Sequence, residues 1–222
     1  MGEFITIKAS DGVEISAWRA DPAGKPRGGI VVVQEIFGVN HHIRATADFF
    51  AAQGYLAIAP AIFDRVEKGV DLGYDGPGRQ AGMAIMAKID RDKMMLDVAA
   101  AIPLAKAAGK VAVVGYCLGG SLAYFAASRL PEVDAAVGYY GGMILTAKDD
   151  TPKAPTILHF GEKDGHIPIA GVKEFAAAHP GTPVYIYPAD HGFNCDERES
   201  YDAPSAALAR ERTLEFLGKT IG

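Results

Sequence analysis

The chain has 222 residues, of which 49% are hydrophobic and 22% charged, and its formal net charge is -5. These proportions are ordinary for a globular protein, and the length suits one α/β domain whose core needs no disulfide or metal. The mild acidity and the lack of a basic run argue against nucleic acid or an anionic membrane as partner. No apolar stretch reaches the roughly 18 residues of a membrane span, and the first residues do not resemble a signal peptide. We therefore expect a cytoplasmic protein.

The predicted strands begin with an antiparallel hairpin. Residues 4–7 and 13–18 alternate between apolar and polar side chains, and the turn signal Ser10-Asp11-Gly12 joins them. Residues 30–33 are a continuous β-branched run, which is typical of a strand buried on both faces of a parallel sheet. Further strands are predicted at residues 55–59, 111–114, 135–139, 156–160 and 184–187.

Helical patterns alternate with these strands. They cover residues 43–53, a long stretch that kinks or ends at Pro103, and residues 122–130, 170–178 and 204–217. The glycine-rich segment 67–78 is predicted to be a polar loop that lines the binding pocket. The alternation predicts an α/β fold with a mostly parallel central sheet, helices on both faces and an N-terminal antiparallel hairpin. No linker or repeat divides the chain, so a single domain over residues 1–222 is expected.

The segment after the strand at 111–114 has the pattern of a nucleophile elbow. Gly115-Tyr116-Cys117-Leu118-Gly119-Gly120 matches G-x-S-x-G with cysteine in place of serine, between a predicted strand and a predicted helix. Glycines are needed there because side chains on either side of so tight a turn would collide with neighbouring backbone. The start of the following helix favours the thiolate form of Cys117. The alternative is a glycine-rich turn used for packing or phosphate binding.

Two further residues complete the order of an α/β-hydrolase triad. Asp164 follows the strand at 156–160, and His191 follows the strand at 184–187, so nucleophile, acid and histidine occur in the required order. Asp164 has an alternative role as a turn or cap residue. His166 is a rival base, but it shares a loop with Asp164, which favours His191. These positions predict an α/β-hydrolase fold with a Cys117–Asp164–His191 triad.

The loop after the strand at 30–33 is predicted to supply the rest of the site. The backbone N–H groups of Ile36 and Leu118 are the expected oxyanion donors. Glu35 is expected close to Cys117. It is either a solvated charge or a group that favours the neutral thiol and so opposes the helix dipole.

The two cysteines, Cys117 and Cys195, predict no disulfide framework. Neither belongs to a C-x-x-C pair, and no Cys/His spacing along the chain is typical of zinc. We therefore expect no metal and no cofactor.

The chain resembles the dienelactone hydrolases (carboxymethylenebutenolidases) over nearly its whole length. The segments that carry the resemblance are residues 34–38, 115–120, 137–141, 191–193 and 206–217. The resemblance implies the α/β-hydrolase fold and the same triad. It also implies that Glu35 holds the proton of Cys117 in the resting enzyme and that substrate binding releases the thiolate.

The resemblance is less complete where the family holds a substrate carboxylate with two arginines. Arg79 matches one of them, and Tyr139 is taken as a further substrate-binding residue. The second arginine falls four residues after the histidine, where this chain has Cys195. Arg198, three residues further, either substitutes for it or is a solvated charge. We expect Cys195 to mark the position where substrate preference differs from that of the family.

These observations predict a hydrolase that cleaves a small ester or lactone through an acyl-thioester on Cys117. One alternative is a general carboxylesterase or thioesterase with the same triad. Another is a hydrolase fold used only for binding or redox sensing, with Cys117 as an oxidisable thiol. The expected partner is a small-molecule substrate, and the expected assembly is a monomer or small homo-oligomer.

Overall fold

One eight-stranded sheet runs through the computed structural model, which describes residues 2–147 and 150–222. Its order is β1-β2-β4-β3-β5-β6-β7-β8, where the strands are β1 (Glu3–Lys8), β2 (Glu14–Ala20), β3 (Gly29–Val33), β4 (Leu56–Pro60), β5 (Val111–Tyr116), β6 (Ala135–Tyr139), β7 (Thr156–Gly161) and β8 (Val184–Tyr187). β2 pairs antiparallel with β1 and with β4, whereas all neighbours from β4 to β8 are parallel. The predicted α/β-hydrolase sheet with an N-terminal hairpin is confirmed.

Helices cover both faces of this sheet. Those of the described residues are α1 (His41–Ala52), α2 (Gly76–Met86), α3 (Arg91–Lys106), α4 (Leu118–Arg129), α5 (Ile169–Ala178) and α6 (Ala203–Thr220). β3, β4, β5 and β6 are buried along their whole length, as the continuous apolar runs predicted. Within the described residues, no helix combines the length and apolar character that crossing a bilayer requires.

Two predictions about the middle of the chain are wrong. The predicted loop 67–78 ends early, because Asp75 caps α2 by accepting a hydrogen bond from the Gly78 N–H at 2.8 Å, with Pro77 in the first turn. The long helical stretch is therefore two helices. Pro103 does not end α3 but lies inside it. It removes one N–H, while Val98 and Ile102 stay buried against the sheet and hold the helix in place.

The parallel arrangement determines where the site lies. β3, β5, β7 and β8 run in the same direction, so their carboxyl ends meet at one edge of the sheet. The loops that follow these four strands carry Glu35, Cys117, Asp164 and His191, in that order. Such an edge is where α/β sheets usually bind ligands.

Candidate active site

Cys117 lies at a strained turn between β5 and α4. Its φ is 54° and its ψ is -112°, a left-handed conformation that is costly for a residue with a side chain. The glycines around it are required by close approach. A Cβ on Gly115 would collide with the backbone of Gly119, and one on Gly119 would collide with the backbone of Val33. The turn thus has the geometry of a nucleophile elbow, and its half-buried thiol remains accessible.

Asp164 holds His191 with one carboxylate oxygen and its own loop with the other. Oδ2 lies 2.7 Å from Nδ1 of His191. Oδ1 accepts hydrogen bonds from the N–H groups of His166 at 2.8 Å and Ile167 at 3.1 Å. The turn-holding role and the histidine-orienting role, which the sequence left as alternatives, are therefore both present. They leave this carboxylate little freedom to turn.

The charges around His191 favour its protonated form. Burial by itself would lower the pKa of His191, but hydrogen bonds to Asp164 and Cys117 raise it to about 10. Burial would likewise raise the pKa of Asp164, but the hydrogen bonds from His191 and the two amides keep it below its ordinary value. An imidazolium held between a carboxylate and a thiol can stabilise the thiolate.

His166, the rival base, stays outside this arrangement. Its imidazole is exposed and meets the His191 ring edge-on at 5.5 Å between centroids. Its backbone N–H, rather than its imidazole, bonds Asp164.

The loop after β3 is fixed to two other parts of the chain. The Gln34 side chain accepts a hydrogen bond from the Ile62 N–H at 3.1 Å, and the Gln34 carbonyl accepts one from the Gly119 N–H at 3.0 Å. Ile36 and Leu118, the predicted oxyanion donors, are buried on this loop and at the first position of α4. Among the described residues neither amide donates a hydrogen bond to a protein acceptor, so both are free for a ligand.

Glu35 forms a buried ion pair with Arg198. Its Oε1 lies 3.3 Å from Nη2 of Arg198, and the two side chains are 1% and 14% exposed. Burial would lower the pKa of Arg198, but the Glu35 carboxylate keeps it above its ordinary value, so the guanidinium stays charged. The alternatives in which Glu35 and Arg198 are solvated charges are therefore wrong.

The structure does not contain the Glu35–Cys117 hydrogen bond that the resemblance implies for the resting enzyme. Among the described residues neither carboxylate oxygen of Glu35 has a hydrogen-bond partner, and it is the pKa of His191 that the Cys117 thiol raises. Glu35 acts here as the counter-ion of Arg198.

Aromatic side chains enclose this ion pair. The Arg198 guanidinium lies 5.2 Å from the Phe37 ring centre and 5.0 Å from that of Tyr74. Tyr140 has a φ of 39° and is fully buried, and its ring centroid lies 5.1 Å from that of His191. Burial, and next the negative Glu35, raise the pKa of both tyrosines.

Sequence reasoning missed both tyrosines. Tyr140 lies within the segment 137–141 that carries the resemblance, but the prediction of a substrate-binding residue falls on its neighbour Tyr139. Tyr74 lies in the segment expected to line the pocket, and nothing in its spacing singled it out.

Tyr139 does not face the site. Its hydroxyl donates to the Ala209 carbonyl at 3.1 Å and lies 2.6 Å from Oγ1 of Thr213, both on α6. The reason is its place at the end of β6, where the pleat directs its side chain toward α6. The backbone of Tyr139 still helps to hold the turn that carries Cys117, because its carbonyl accepts a hydrogen bond from the Cys117 N–H at 3.0 Å.

Arg79 is exposed in the first turns of α2. It makes no hydrogen bond or ion pair to Cys117, His191 or Glu35. Its role in binding a substrate carboxylate stays a prediction.

Cys195, which replaces the family's arginine, is part of the turn that brings Arg198 to Glu35. Its N–H donates to the Gly192 carbonyl at 2.9 Å, and its carbonyl accepts from the Arg198 N–H at 3.2 Å. Its thiol is fully buried, and burial, with the negative Glu35 nearby, raises its pKa to about 12. Compared with the family pattern, the chain thus lacks the arginine at position 195, and Arg198 contacts Glu35 instead.

A strained cysteine turn after β5, an acid after β7 and a histidine after β8, on a sheet of this order, define an α/β-hydrolase. The model of the dienelactone hydrolase family matches residues 15–221. The carboxymethylenebutenolidases of Pseudomonas putida and Pseudomonas knackmussii are each 37% identical over 226 residues, which cover 97% of this chain and 95% of theirs. The chain belongs to the dienelactone hydrolase family and is a hydrolase.

A solved structure agrees with this assignment. A proposed dienelactone hydrolase from Klebsiella pneumoniae matches with a TM-score of 0.83 at 29% identity. The match covers 98% of this chain and 99% of the Klebsiella chain.

Proposed function

We propose that this protein hydrolyses a small ester or lactone through a Cys117–His191–Asp164 triad and an acyl-thioester. The observation that carries the proposal is the 2.7 Å contact between Asp164 and Nδ1 of His191, whose pKa is raised also by the Cys117 thiol on the strained turn. A nucleophile, its base and the group that orients the base are what acyl transfer requires.

In the first half-reaction the Cys117 sulfur attacks the ester carbonyl carbon. The carbonyl oxygen takes the negative charge, and the N–H groups of Ile36 and Leu118 stabilise it. The C–O bond then breaks, His191 gives its proton to the leaving alkoxide, and the acyl group remains on sulfur. With a lactone, the alcohol stays attached to the acyl group.

In the second half-reaction His191 takes a proton from water, whose oxygen attacks the thioester. The C–S bond breaks, the acid leaves, and the thiolate and imidazolium are restored. Asp164 keeps the imidazole in one orientation through both halves. No redox partner is consumed.

The substrate we propose carries a carboxylate near the scissile bond. Support comes from Arg198, a charged and mostly buried guanidinium whose Glu35 partner lies at 3.3 Å without hydrogen-bond geometry. A substrate carboxylate can form two parallel hydrogen bonds with such a guanidinium and displace Glu35.

The test of catalysis compares Cys117→Ala and His191→Ala with wild type on an aryl ester and on an unsaturated lactone. We expect kcat/KM to fall by at least about 10³-fold in both variants. Cys195→Ala is the matched control, because it removes the chain's other thiol, which lies outside the triad, and it should retain the aryl esterase activity. Mass spectrometry after acid quench should find the acyl group on Cys117.

Equal activity of Cys117→Ala and wild type would refute the role of Cys117 as the nucleophile. Inactivity of the wild type itself on a wide ester panel would favour a sensing role.

The test of substrate class uses a carboxylate-bearing lactone and its neutral methyl ester. Arg198→Lys keeps the charge but loses the planar pair of donors. We expect KM for the carboxylate substrate to rise about tenfold or more, with little change for the neutral ester. Equal effects on both substrates would instead favour a general carboxylesterase.

A further inference from the structure

Three metal-ligating side chains meet beside the active site, outside the triad. They are His42 on α1 and Cys195 and Asp196 on the loop after β8, and their donor atoms all lie within 4.8 Å of one another. Spacing along the chain could not reveal the group, because His42 is distant in sequence from the other two. The expectation of no metal rests on spacing along the chain, which does not reach this group.

Two donor atoms of the group lie at a separation that suits two ligands of one ion. Nδ1 of His42 lies 3.4 Å from Oδ1 of Asp196. Zn–N and Zn–O bonds of about 2.0–2.1 Å at the tetrahedral angle place two such ligands about 3.3 Å apart. The separation of these two atoms needs almost no adjustment to hold an ion, and the donor atom of Cys195 lies within 4.8 Å of the other two.

The His42 imidazole is buried, and its two ring nitrogens have different surroundings. Its side chain is 8% exposed; Nδ1 faces Asp196, whereas Nε2 has no hydrogen bond in the described part of the chain. An ion at Nδ1 would lie between this buried ring and the Asp196 carboxylate. The Asp196 side chain is 71% exposed and opens the group to solvent, so an ion has a path of entry.

We propose that His42, Cys195 and Asp196 bind a zinc ion, with water as the fourth ligand. Imidazole nitrogen, thiolate sulfur and carboxylate oxygen are the donors that zinc accepts, whereas the buried thiol argues against calcium and magnesium. On binding, the Cys195 thiol releases its proton to solvent, and Zn–S, Zn–N and Zn–O bonds replace three bonds from zinc to water.

The ion would join α1 to the loop that carries the catalytic base. The Cys195 backbone bonds both Gly192 and Arg198, so the metal-bound residue lies between His191 and the arginine of the buried ion pair. Zinc is therefore expected to brace this loop. The inference does not rest on hydrolysis, because none of the three ligands belongs to the triad.

The experiment uses cobalt as a spectroscopic substitute for zinc in the full-length Cys117→Ser protein, since Cys117 and His191 form a competing thiol–imidazole pair. We expect one bound ion, with visible bands of tetrahedral cobalt and a thiolate-to-cobalt charge-transfer band. Cys195→Ser in this background should lose the charge-transfer band. His42→Asn should weaken zinc binding, measured against a chromophoric chelator, by at least about tenfold.

His41→Asn is the matched control. His41 neighbours His42 on α1 and pairs with Glu197, the neighbour of Asp196, but no thiol adjoins that pair. Its loss should leave both the cobalt spectrum and the zinc affinity unchanged. If Cys195→Ser does not fold, a zinc-dependent rise in Tm that His42→Asn abolishes and His41→Asn retains supports the site. No charge-transfer band in the parent, its survival in Cys195→Ser, or equal losses in the two histidine variants would overturn the proposal.

Discussion

Replacing Arg198 with methionine leaves a carboxylate buried without its counter-ion. Methionine keeps an unbranched apolar stem against Phe37 and Tyr74 but removes the guanidinium that lies 3.3 Å from Glu35. The Glu35 side chain is 1% exposed and has no hydrogen bond within residues 2–147 and 150–222 to compensate for this loss. The variant therefore removes the ion pair, and with it a long hydrogen bond to the His191 carbonyl at 3.5 Å, while an apolar stem still packs against the rings.

The expected cost follows from this burial. Removing one partner of a buried ion pair destabilises a protein by about 3–5 kcal/mol, whereas replacing both partners with apolar residues is often neutral or stabilising. Arg198→Met should therefore lower the free energy of unfolding by about 3–5 kcal/mol. For a chain of this size that corresponds to a fall in Tm of about 6–20 °C. Glu35→Met should cost a similar amount, and the double variant should recover most of both losses.

The assay is urea unfolding of wild type, both single variants and the double variant, followed by circular dichroism and by Trp18 fluorescence. Coincident transitions would establish two-state behaviour for the comparison. The coupling energy from the cycle should be at least about 3 kcal/mol, because each single variant leaves a buried charge unpaired. A loss below about 1 kcal/mol for Arg198→Met, or a double variant no better than the sum of the singles, would refute the reasoning.

Three further predictions concern the turn, the base and a buried histidine. Gly119→Ala should cost at least about 2 kcal/mol of unfolding free energy, because its Cβ would meet the Val33 backbone. In the wild type, kcat/KM should fall with rising pH near pH 10, where His191 loses its proton. Asp164→Asn should move this fall to a pH about one to three units lower, because it removes a group that raises the pKa of His191. Burial, and next Arg212, lower the pKa of His159 to about 3. The folded protein keeps His159 neutral, so the free energy of unfolding should fall by about 1.4 kcal/mol per pH unit between pH 6.5 and about 3. His159→Gln removes this titration and should make the free energy of unfolding depend less on pH over that range.

Each of these predictions has a contrary outcome, and the prediction for the turn also has a control variant. Gly181→Ala is the control for the turn, because nothing lies near its added Cβ, and equal costs at both glycines would contradict the steric argument. The stabilisation by protonated His191 is complete below pH 6.5 and disappears as the pH rises through about 10, so wild type should lose more stability over that range than Asp164→Asn. Identical pH profiles would show that Asp164 does not tune the base. For His159, acid unfolding at the same pH in wild type and variant would contradict the burial argument.

The parts of the fold that sequence could predict are those encoded locally. The hairpin, β6 and β8 follow from short apolar patterns and turn residues, and the elbow follows from glycines whose absence would cause collisions within a few residues of Cys117. The positions of Asp164 and His191 follow from the order of strands, because parallel strands bring their carboxyl ends to one edge.

The parts that sequence could not predict depend on contacts between distant segments. Glu35 and Arg198 meet only because the loops after β3 and β8 fold over the same edge, and no spacing encodes that contact. Which of Tyr139 and Tyr140 faces the site depends on which side of β6 packs against α6, and the apolar pattern of the sequence does not distinguish the two. The neighbours of His42 could not be predicted either, because Cys195 and Asp196 lie far from it in the sequence.

The distribution of the site over the ends of four strands has a consequence for refolding. The β1–β2 hairpin can form from neighbouring residues, but β3 pairs with β5 across a long intervening segment, and β8 joins only at the far edge of the sheet. Pairings of this kind form slowly because the chain must first close large loops. We therefore expect circular dichroism to recover before hydrolysis when the denatured protein is diluted into buffer, so that enzyme activity reports the last step of folding.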